Sequence, residues 1–322
     1  MYSCSTFRVL FGLSGPQLDE GGRIRGRSGL IPNIEFAVSK AVNEFCHISV
    51  LYREFMPAEL ATGMLDNKTY ESRNSRLQHE ELRLQLQKLR PFPSDLEWYE
   101  FATGLMKRSP LGGLEALSTK SGIVDLFQDI RQRRDFGFEE IWRDTRPGLE
   151  AYKEKFECEW SPIGDQVSTR LSSLAKRPWT TDRIRVHFID CLYGGFGWND
   201  CIGFAPFPDI EVQKKFLAHE LSELITPRRS LVEALREAKL NLGIAHTVVD
   251  LLAYFSVRDF LAKPVFPNVE KKGIKPNPNY YPAVEGLYLM FERYAENPAI
   301  YQDFQGLVQD IVATLKEVSI IQ

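Results

Sequence analysis

The sequence lacks both a long apolar run and an excess of one charge. Among its 322 residues, 40 basic side chains face 43 acidic ones, which gives a formal net charge of -3. Proteins that bind nucleic acid or anionic membranes usually carry a basic excess, so this balance argues against both classes of partner. No apolar segment approaches the roughly 20 residues that a helix needs to cross a bilayer. The apolar patch at Val9 to Leu13 is too short for a signal-peptide core, and we therefore expect a cytoplasmic protein.

Cysteine and histidine are also scarce. The five cysteines are scattered along the chain and none forms a CxxC pair. This pattern excludes a disulfide scaffold and a thiolate zinc knuckle, and it favours buried, reduced thiols. With 43% apolar and 26% charged residues, the chain has the composition of an ordinary globular protein.

The chain divides into three parts by composition and periodicity. Residues 1–30 are rich in glycine, serine and arginine near their end, which predicts a flexible leader. Residues 31–178 form a helical region, in which helical spacing runs from Ile34 to Tyr52 and a further amphipathic helix spans Gln78 to Leu89. A long helix over Phe138–Trp160 is expected to break or kink near Pro147.

The third part, residues 179–322, begins with β-type patterns. Alternation over Arg183–Asp190 predicts a strand that places His187 on an exposed face. A glycine-rich loop at Tyr193–Trp198 and a short strand at Cys201–Ala205 follow, and a helix over Glu211–Ile225 comes next. The whole chain is predicted to be α+β and predominantly helical, with a small sheet before that helix.

The helix predicted over Glu211–Ile225 carries the most informative residues. His219 and Glu223 are four positions apart, so they lie one turn apart on the same face and can bind one divalent ion. Glu220 lies between Leu217 and Leu224 in an apolar stripe, where a carboxylate needs a partner. It is either bonded to a distant residue or acts beside a metal.

A second pair with the same spacing follows on the next long helix. His246 and Asp250 are again four positions apart, and two of the five histidines of the chain thus begin an i, i+4 pair with a carboxylate. Imidazole nitrogens and carboxylate oxygens together suit zinc. The sequence therefore predicts a Zn²⁺ site with His219, Glu223, His246 and Asp250 around the ion.

These two motifs resemble those of the zincin metallopeptidases, in particular the thermolysin-like branch. That family carries His-Glu-x-x-His on one helix and a third ligand on a following helix. Here the first motif is HExxE, His219-Glu220-Leu-Ser-Glu223, and the second is His246-Thr-Val-Val-Asp250. One carboxylate and two imidazoles are kept, although two positions have exchanged residue types.

The resemblance implies roles for these residues and for their surroundings. His219, Glu223 and His246 would be the ligands, Glu220 the general base, and Asp250 the residue that orients His219. The strand Cys201–Ala205 would be an edge strand that binds a peptide or protein substrate by adding it to the sheet. By position, two further residues are candidate donors to the oxyanion: Tyr280 and Tyr281.

Two functions from different classes fit these observations. The first is a zinc-dependent metallopeptidase or related amide hydrolase. The alternative is a non-catalytic protein of the same fold that acts as a binding or scaffold module. The same polar residues would also occur in a structural helix pair whose side chains satisfy one another without a metal.

Overall fold

A computed structural model gives the fold of the chain. It describes residues 30–51, 95–108, 132, 138–192, 194–263 and 284–321. The predicted leader up to residue 29, the predicted helix Gln78–Leu89, Tyr280 and Tyr281 lie outside these residues. The fold is mostly helical with a small four-stranded sheet, which confirms the α+β prediction. None of the helices in the described part of the chain is both long and apolar enough to cross a bilayer.

The chain forms two compact units that alternate along the sequence. The first unit contains residues 34–158 and 184–206, and the second contains residues 159–183 and 207–322. The sheet belongs to the first unit. The two pairs of predicted metal-site residues, on the helices after residue 207, belong to the second.

The first unit is built on a sheet with the strand order β1-β2-β4-β3. Its strands are β1 (Asn33–Ala37), β2 (Arg183–Phe188), β3 (Gly195–Trp198) and β4 (Cys201–Phe204). β2 runs parallel to β4, with Val186 opposite Ile202, and β3 runs antiparallel to β4. The segment predicted as a glycine-rich loop is thus largely a strand, because Gly195–Trp198 pairs with β4 along its whole length.

The prediction that Cys201–Ala205 is an edge strand is wrong. β4 lies inside the sheet between β2 and β3, and all four of its residues are buried. Among the described strands, β3 and β1 are the two at the edges. Backbone pairing with both neighbours leaves β4 no row of free N–H and C=O groups for a peptide.

The helical prediction from Ile34 to Tyr52 is wrong in its first part. Residues Asn33–Ala37 form β1, and the helix α1 covers Lys40–Leu51. Ser39 separates the two elements, because its Oγ accepts a hydrogen bond from the backbone N–H of Val42 at 3.4 Å. A serine in this position is a helix N-cap, the local signal that marks the boundary.

Two more helices complete the described part of the first unit. They are α2 (Asp95–Arg108) and α3 (Phe138–Trp160), and α3 runs through Pro147 without an interruption. Trp98 of α2 donates from Nε1 to the Ser49 hydroxyl of α1 at 3.1 Å. Tyr152 and Phe156 of α3 pack their rings against Phe188 of β2. These contacts of large aromatic side chains join the helices and the sheet into one core.

His187 differs from its predicted exposed position. The residue is fully buried, and its Nε2 lies 3.2 Å from the carbonyl oxygen of Met106 in α2. The prediction of an exposed face is therefore wrong, because α2 covers the side of β2 that alternation assigned to solvent. A strand covered on both faces gives no reliable exposed side.

The described part of the second unit is a helical bundle. Its helices are α4 (Gly164–Ala175), α5 (Ile210–Ile225), α6 (Arg228–Glu237), α7 (Ile244–Val257), α8 (Val284–Glu296) and α9 (Phe304–Ile321). Nearly every residue of α7 is buried, so this helix is the centre of the bundle. Its neighbours pack their apolar faces around it, with Leu252, Phe291 and Leu307 among the fully buried side chains. A buried central helix of this kind holds its polar side chains in fixed positions.

Candidate metal centre

Helix α5 places His219 and Glu223 on one face. The helix begins after Asp209, whose carboxylate accepts from the Glu211 backbone N–H at 2.9 Å. Its i, i+4 spacing leaves the His219 Nε2 and the Glu223 Oε1 3.7 Å apart. The two side chains are 16% and 13% exposed, so both are largely desolvated.

Helix α7 brings the second pair of residues to the same place. Ser222 of α5 donates its hydroxyl to the Val249 carbonyl of α7 at 3.0 Å, which fixes the two helices against each other. Asp250 Oδ1 then lies 2.6 Å from His219 Nδ1, and Asp250 Oδ2 lies 3.2 Å from His246 Nε2. The two imidazole rings meet edge to face, with centroids 5.2 Å apart. All four predicted metal residues are therefore in one cluster.

The geometry of three of these side chains fits a tetrahedral ion. One ligand atom each from His219, Glu223 and His246 lies within 4.8 Å of the other two. Two ligand atoms on a tetrahedral zinc are about 3.3 Å apart, given zinc–ligand bonds of about 2.0 Å. The observed 3.7 Å between His219 and Glu223 is close to that separation. Small side-chain adjustments are thus enough to bring these donors to an ion.

Asp250 has a different position from the other three. Its short contact with His219 Nδ1 favours a proton on that nitrogen, so a neutral His219 would present its Nε2 lone pair toward Glu223. A carboxylate that accepts from the far nitrogen of an imidazole is the usual support of a histidine metal ligand. The contact thus places Asp250 where it can orient His219, while its other oxygen, Oδ2, faces His246.

Glu220 is the most buried carboxylate of the cluster. It is 3% exposed, and its Oε2 has no hydrogen-bond partner among the described residues. A buried carboxylate oxygen without a donor is costly, which points to a group that the protein binds at this place. Burial, followed by the negative charge of Glu223, raises the pKa of Glu220 to about 8.

Arg228 is a cluster residue that the sequence analysis missed. It begins α6, after the Thr226-Pro227 turn, and its Nη1 donates to Glu223 Oε1 at 2.9 Å. Its separation of five residues from Glu223 does not correspond to an i, i+4 pair. The turn at Pro227 that redirects the chain is the only local signal for this contact.

The charges of the cluster depend on the protonation of His219 and Glu220. At neutral pH the raised pKa values of both residues favour a cationic His219 and a neutral Glu220, so that Arg228 and His219 compensate the carboxylates of Glu223 and Asp250. With both imidazoles neutral and all three carboxylates ionised, two negative charges would remain, and divalent zinc would compensate them. A divalent ion and protons are thus alternative ways to balance this cluster.

Without an ion, the side chains of the cluster shift one another's pKa. Burial disfavours the charged imidazole of His219, but the negative charges of Asp250 and Glu223 outweigh it and raise its pKa to about 10. Burial lowers the pKa of His246. Burial works against ionisation of Asp250, yet the two nearby imidazoles lower its pKa. His219 is thus favoured as a cation and His246 as a neutral ring.

Glu223 keeps its charge for a related reason. Burial would raise its pKa, but the guanidinium of Arg228 and then the imidazole of His219 outweigh burial and lower it. An ionised Glu223 next to a neutral Nε2 is the state that binds a metal cation.

Comparison of the chain with protein-family models, with curated proteins and with solved structures finds no match. The zincin resemblance therefore stays a prediction from the two motifs, and the function of the cluster has to be argued from its own geometry.

Proposed function

We propose that the protein is a zinc-dependent amide hydrolase of the peptidase type, with the ion held by His219, Glu223 and His246. The observation that carries the proposal is the convergence of these three donors within 4.8 Å on two packed helices. The Asp250 contact at 2.6 Å supports it, because a neutral His219 that donates from Nδ1 to Asp250 has Nε2 as its ligand nitrogen.

The catalytic group of the chain is Glu220 in this proposal. Zinc, when bound, supplies a Lewis acid that polarises the substrate carbonyl and makes water acidic enough to react at neutral pH. The Glu220 carboxylate accepts the proton of the attacking water and returns it to the nitrogen of the leaving amine. Its burial keeps bulk water from competing for that proton.

The substrate class that we propose is a peptide or protein. The resemblance of the two motifs to those of the zincin metallopeptidases supports this class. The assignment of Cys201–Ala205 to peptide binding is not kept, because β4 lies inside the sheet and has no free row of backbone groups.

The first experiment measures zinc per chain by mass spectrometry on purified, tag-free protein, in the wild type and in His219→Ala. We expect one equivalent of zinc that depends on His219. A peptide-hydrolysis screen follows, with Glu220→Gln as the variant that keeps the ligands but lacks the base. Loss of a general base typically lowers the rate by about 10²–10⁴-fold.

Glu233→Gln is the matched control, because Glu233 is an exposed carboxylate of α6 that pairs with Arg229. It should keep both zinc and activity. Wild-type protein that binds no zinc at neutral pH contradicts the proposal. Zinc binding with hydrolysis that survives Glu220→Gln contradicts the role of Glu220 alone.

One observation favours the second candidate, a non-catalytic binding module. Arg228 already contacts Glu223 at 2.9 Å, so this carboxylate has a cationic partner without any metal. In a purely structural cluster, Arg228→Ala leaves a buried carboxylate uncompensated and costs about 3–5 kcal/mol of stability. In the metal-binding case, added zinc restores most of that loss, because the ion replaces the guanidinium charge. Thermal unfolding of the variant with and without zinc separates the two.

A further inference from the structure

A second group of potential metal ligands lies in the first unit, at the end of β2. His47 of α1 and the consecutive residues Asp190 and Cys191, just after β2, place one ligand atom each within 4.8 Å of one another. His47 and Asp190 are 143 positions apart in the sequence and 2.5 Å apart in space, from Nε2 to Oδ1. A fourth residue, Cys46, contributes a thiol whose charge state interacts with those of Cys191 and Asp190.

The backbone holds this group in place through Asn43. Its Nδ2 donates to the Phe188 carbonyl at 3.1 Å, and its Oδ1 accepts from the Asp190 backbone N–H at 3.1 Å. Asn43 and His47 are four residues apart on α1 and therefore face the end of β2 together. The amide thus fixes the segment Asp190–Cys191 opposite the imidazole, which is the pre-organisation that a ligand site requires.

The donor types fit a thiophilic divalent ion. A thiolate, a carboxylate and a neutral imidazole carry two negative charges in total, which match the charge of Zn²⁺. The group is buried, with Cys46 fully inaccessible and Cys191 9% exposed, while the Asp190 side chain is 14% exposed. Burial raises the pKa of both thiols, so without an ion they are protonated and unreactive.

We propose that His47, Asp190 and Cys191 form a second zinc-type metal site, with the buried thiol of Cys46 in its neighbourhood. Two ligands of a tetrahedral zinc are about 3.3 Å apart, so His47 Nε2 and Asp190 Oδ1 separate by about 0.8 Å on metal binding. In the bound state the lone pair of His47 Nε2 faces the ion, the imidazole proton is on Nδ1, and the thiol proton of Cys191 has gone to solvent.

This proposal does not depend on the function proposed for the centre in the second unit. The group at His219 contains no sulfur ligand, whereas the group at His47 does. Cobalt(II) bound to a thiolate gives an intense near-ultraviolet charge-transfer band, and cobalt(II) bound only by imidazole and carboxylate does not. The band therefore reports the second site alone.

The experiment loads reduced, metal-stripped full-length protein with cobalt(II) and records its near-ultraviolet absorption. We expect the band in the wild type and in the double variant His219→Ala, His246→Ala, in which the other centre is removed. We expect the band to disappear in Cys191→Ser. Mass spectrometry of the zinc-loaded proteins should show that this variant binds one equivalent of zinc less than the wild type. Cys201→Ser is the matched control, because Cys201 is a buried thiol of the same unit that is not part of the group.

Two results overturn the proposal. One is a wild-type protein with reduced thiols that gives no thiolate band, which leaves His47 and Asp190 as a buried hydrogen-bonded pair. The other is a band that Cys191→Ser leaves at full intensity and Cys201→Ser removes. Circular dichroism of Cys191→Ser shows whether it is folded. If it is not, His47→Gln, which keeps a hydrogen bond to Asp190 but lacks a metal-binding nitrogen, tests the same loss of the band.

Discussion

Removal of the Asp250 carboxylate tests the candidate metal centre most directly. Its contact with His219 Nδ1 is 2.6 Å long and both side chains are 16% exposed. A charge-assisted hydrogen bond of this kind contributes about 1.5–3 kcal/mol. Each 1.4 kcal/mol corresponds to about a tenfold change in affinity. We therefore expect Asp250→Ala to weaken zinc binding by roughly 10–100-fold. Loss of the hydrogen-bond acceptor behind a metal-bound histidine typically has an effect of this size.

Asp250→Asn should have a smaller effect, about tenfold, because its amide oxygen still accepts from Nδ1 but carries no charge. Zinc affinity is measured by competition with a chromophoric chelator. The control is Asp259→Asn, since Asp259 is an exposed carboxylate of the same unit that pairs with Arg170 at 2.8 Å. Unchanged affinity in a folded Asp250→Ala protein would refute the idea that Asp250 orients His219.

Two other predictions concern the first unit. Burial lowers the pKa of His187 from 6.5 to about 4. As the pH falls, the imidazole is therefore protonated in the unfolded chain before it is protonated in the folded protein. The contribution of His187 to the free energy of unfolding is constant above pH 6.5 and decreases by about 3 kcal/mol toward pH 4. Denaturant unfolding of the wild type and of His187→Gln at several pH values checks this, and an equal slope in both would be inconsistent with it. Gly203→Ala should cost about 1–3 kcal/mol, because the new Cβ would lie 2.7 Å from Met106 Cε and 2.8 Å from Phe196 Cζ. Gly148→Ala should instead stabilise the protein by about 0.5–1 kcal/mol, because Gly148 lies inside α3 and no atom is within 4 Å of the new Cβ. A change of the same sign in the free energy of unfolding of both variants would contradict the packing argument.

The helices of the candidate centre could be predicted from local patterns. The helix Glu211–Ile225 was expected from periodicity and is observed as Ile210–Ile225. The i, i+4 spacing of His219 and Glu223 then puts the two side chains on one face without further information. Asn241 and Gly243, residue types that favour turns, lie between α6 and α7 in the structure.

Other features had no local signal. Arg228 reaches Glu223 only because Pro227 redirects the chain, and β4 lies inside the sheet only because β2 and β3 both pair with it. Tyr280 and Tyr281 stay predictions, since they lie outside the described residues. His187 was assigned to the wrong face because alternation identifies two faces of a strand but does not tell which of them a helix covers.

The sequence by itself determined the residue pairs that share a helix face, because helical geometry repeats within a few residues. It therefore predicted His219 with Glu223, and His246 with Asp250. Only the tertiary structure decided which of these pairs meet, and it alone brought His47 to Asp190 and Cys191 across 143 positions of the sequence. The physical reason is that contacts between distant segments depend on how whole helices and strands pack, and that packing is set by the sum of many buried contacts rather than by any local pattern.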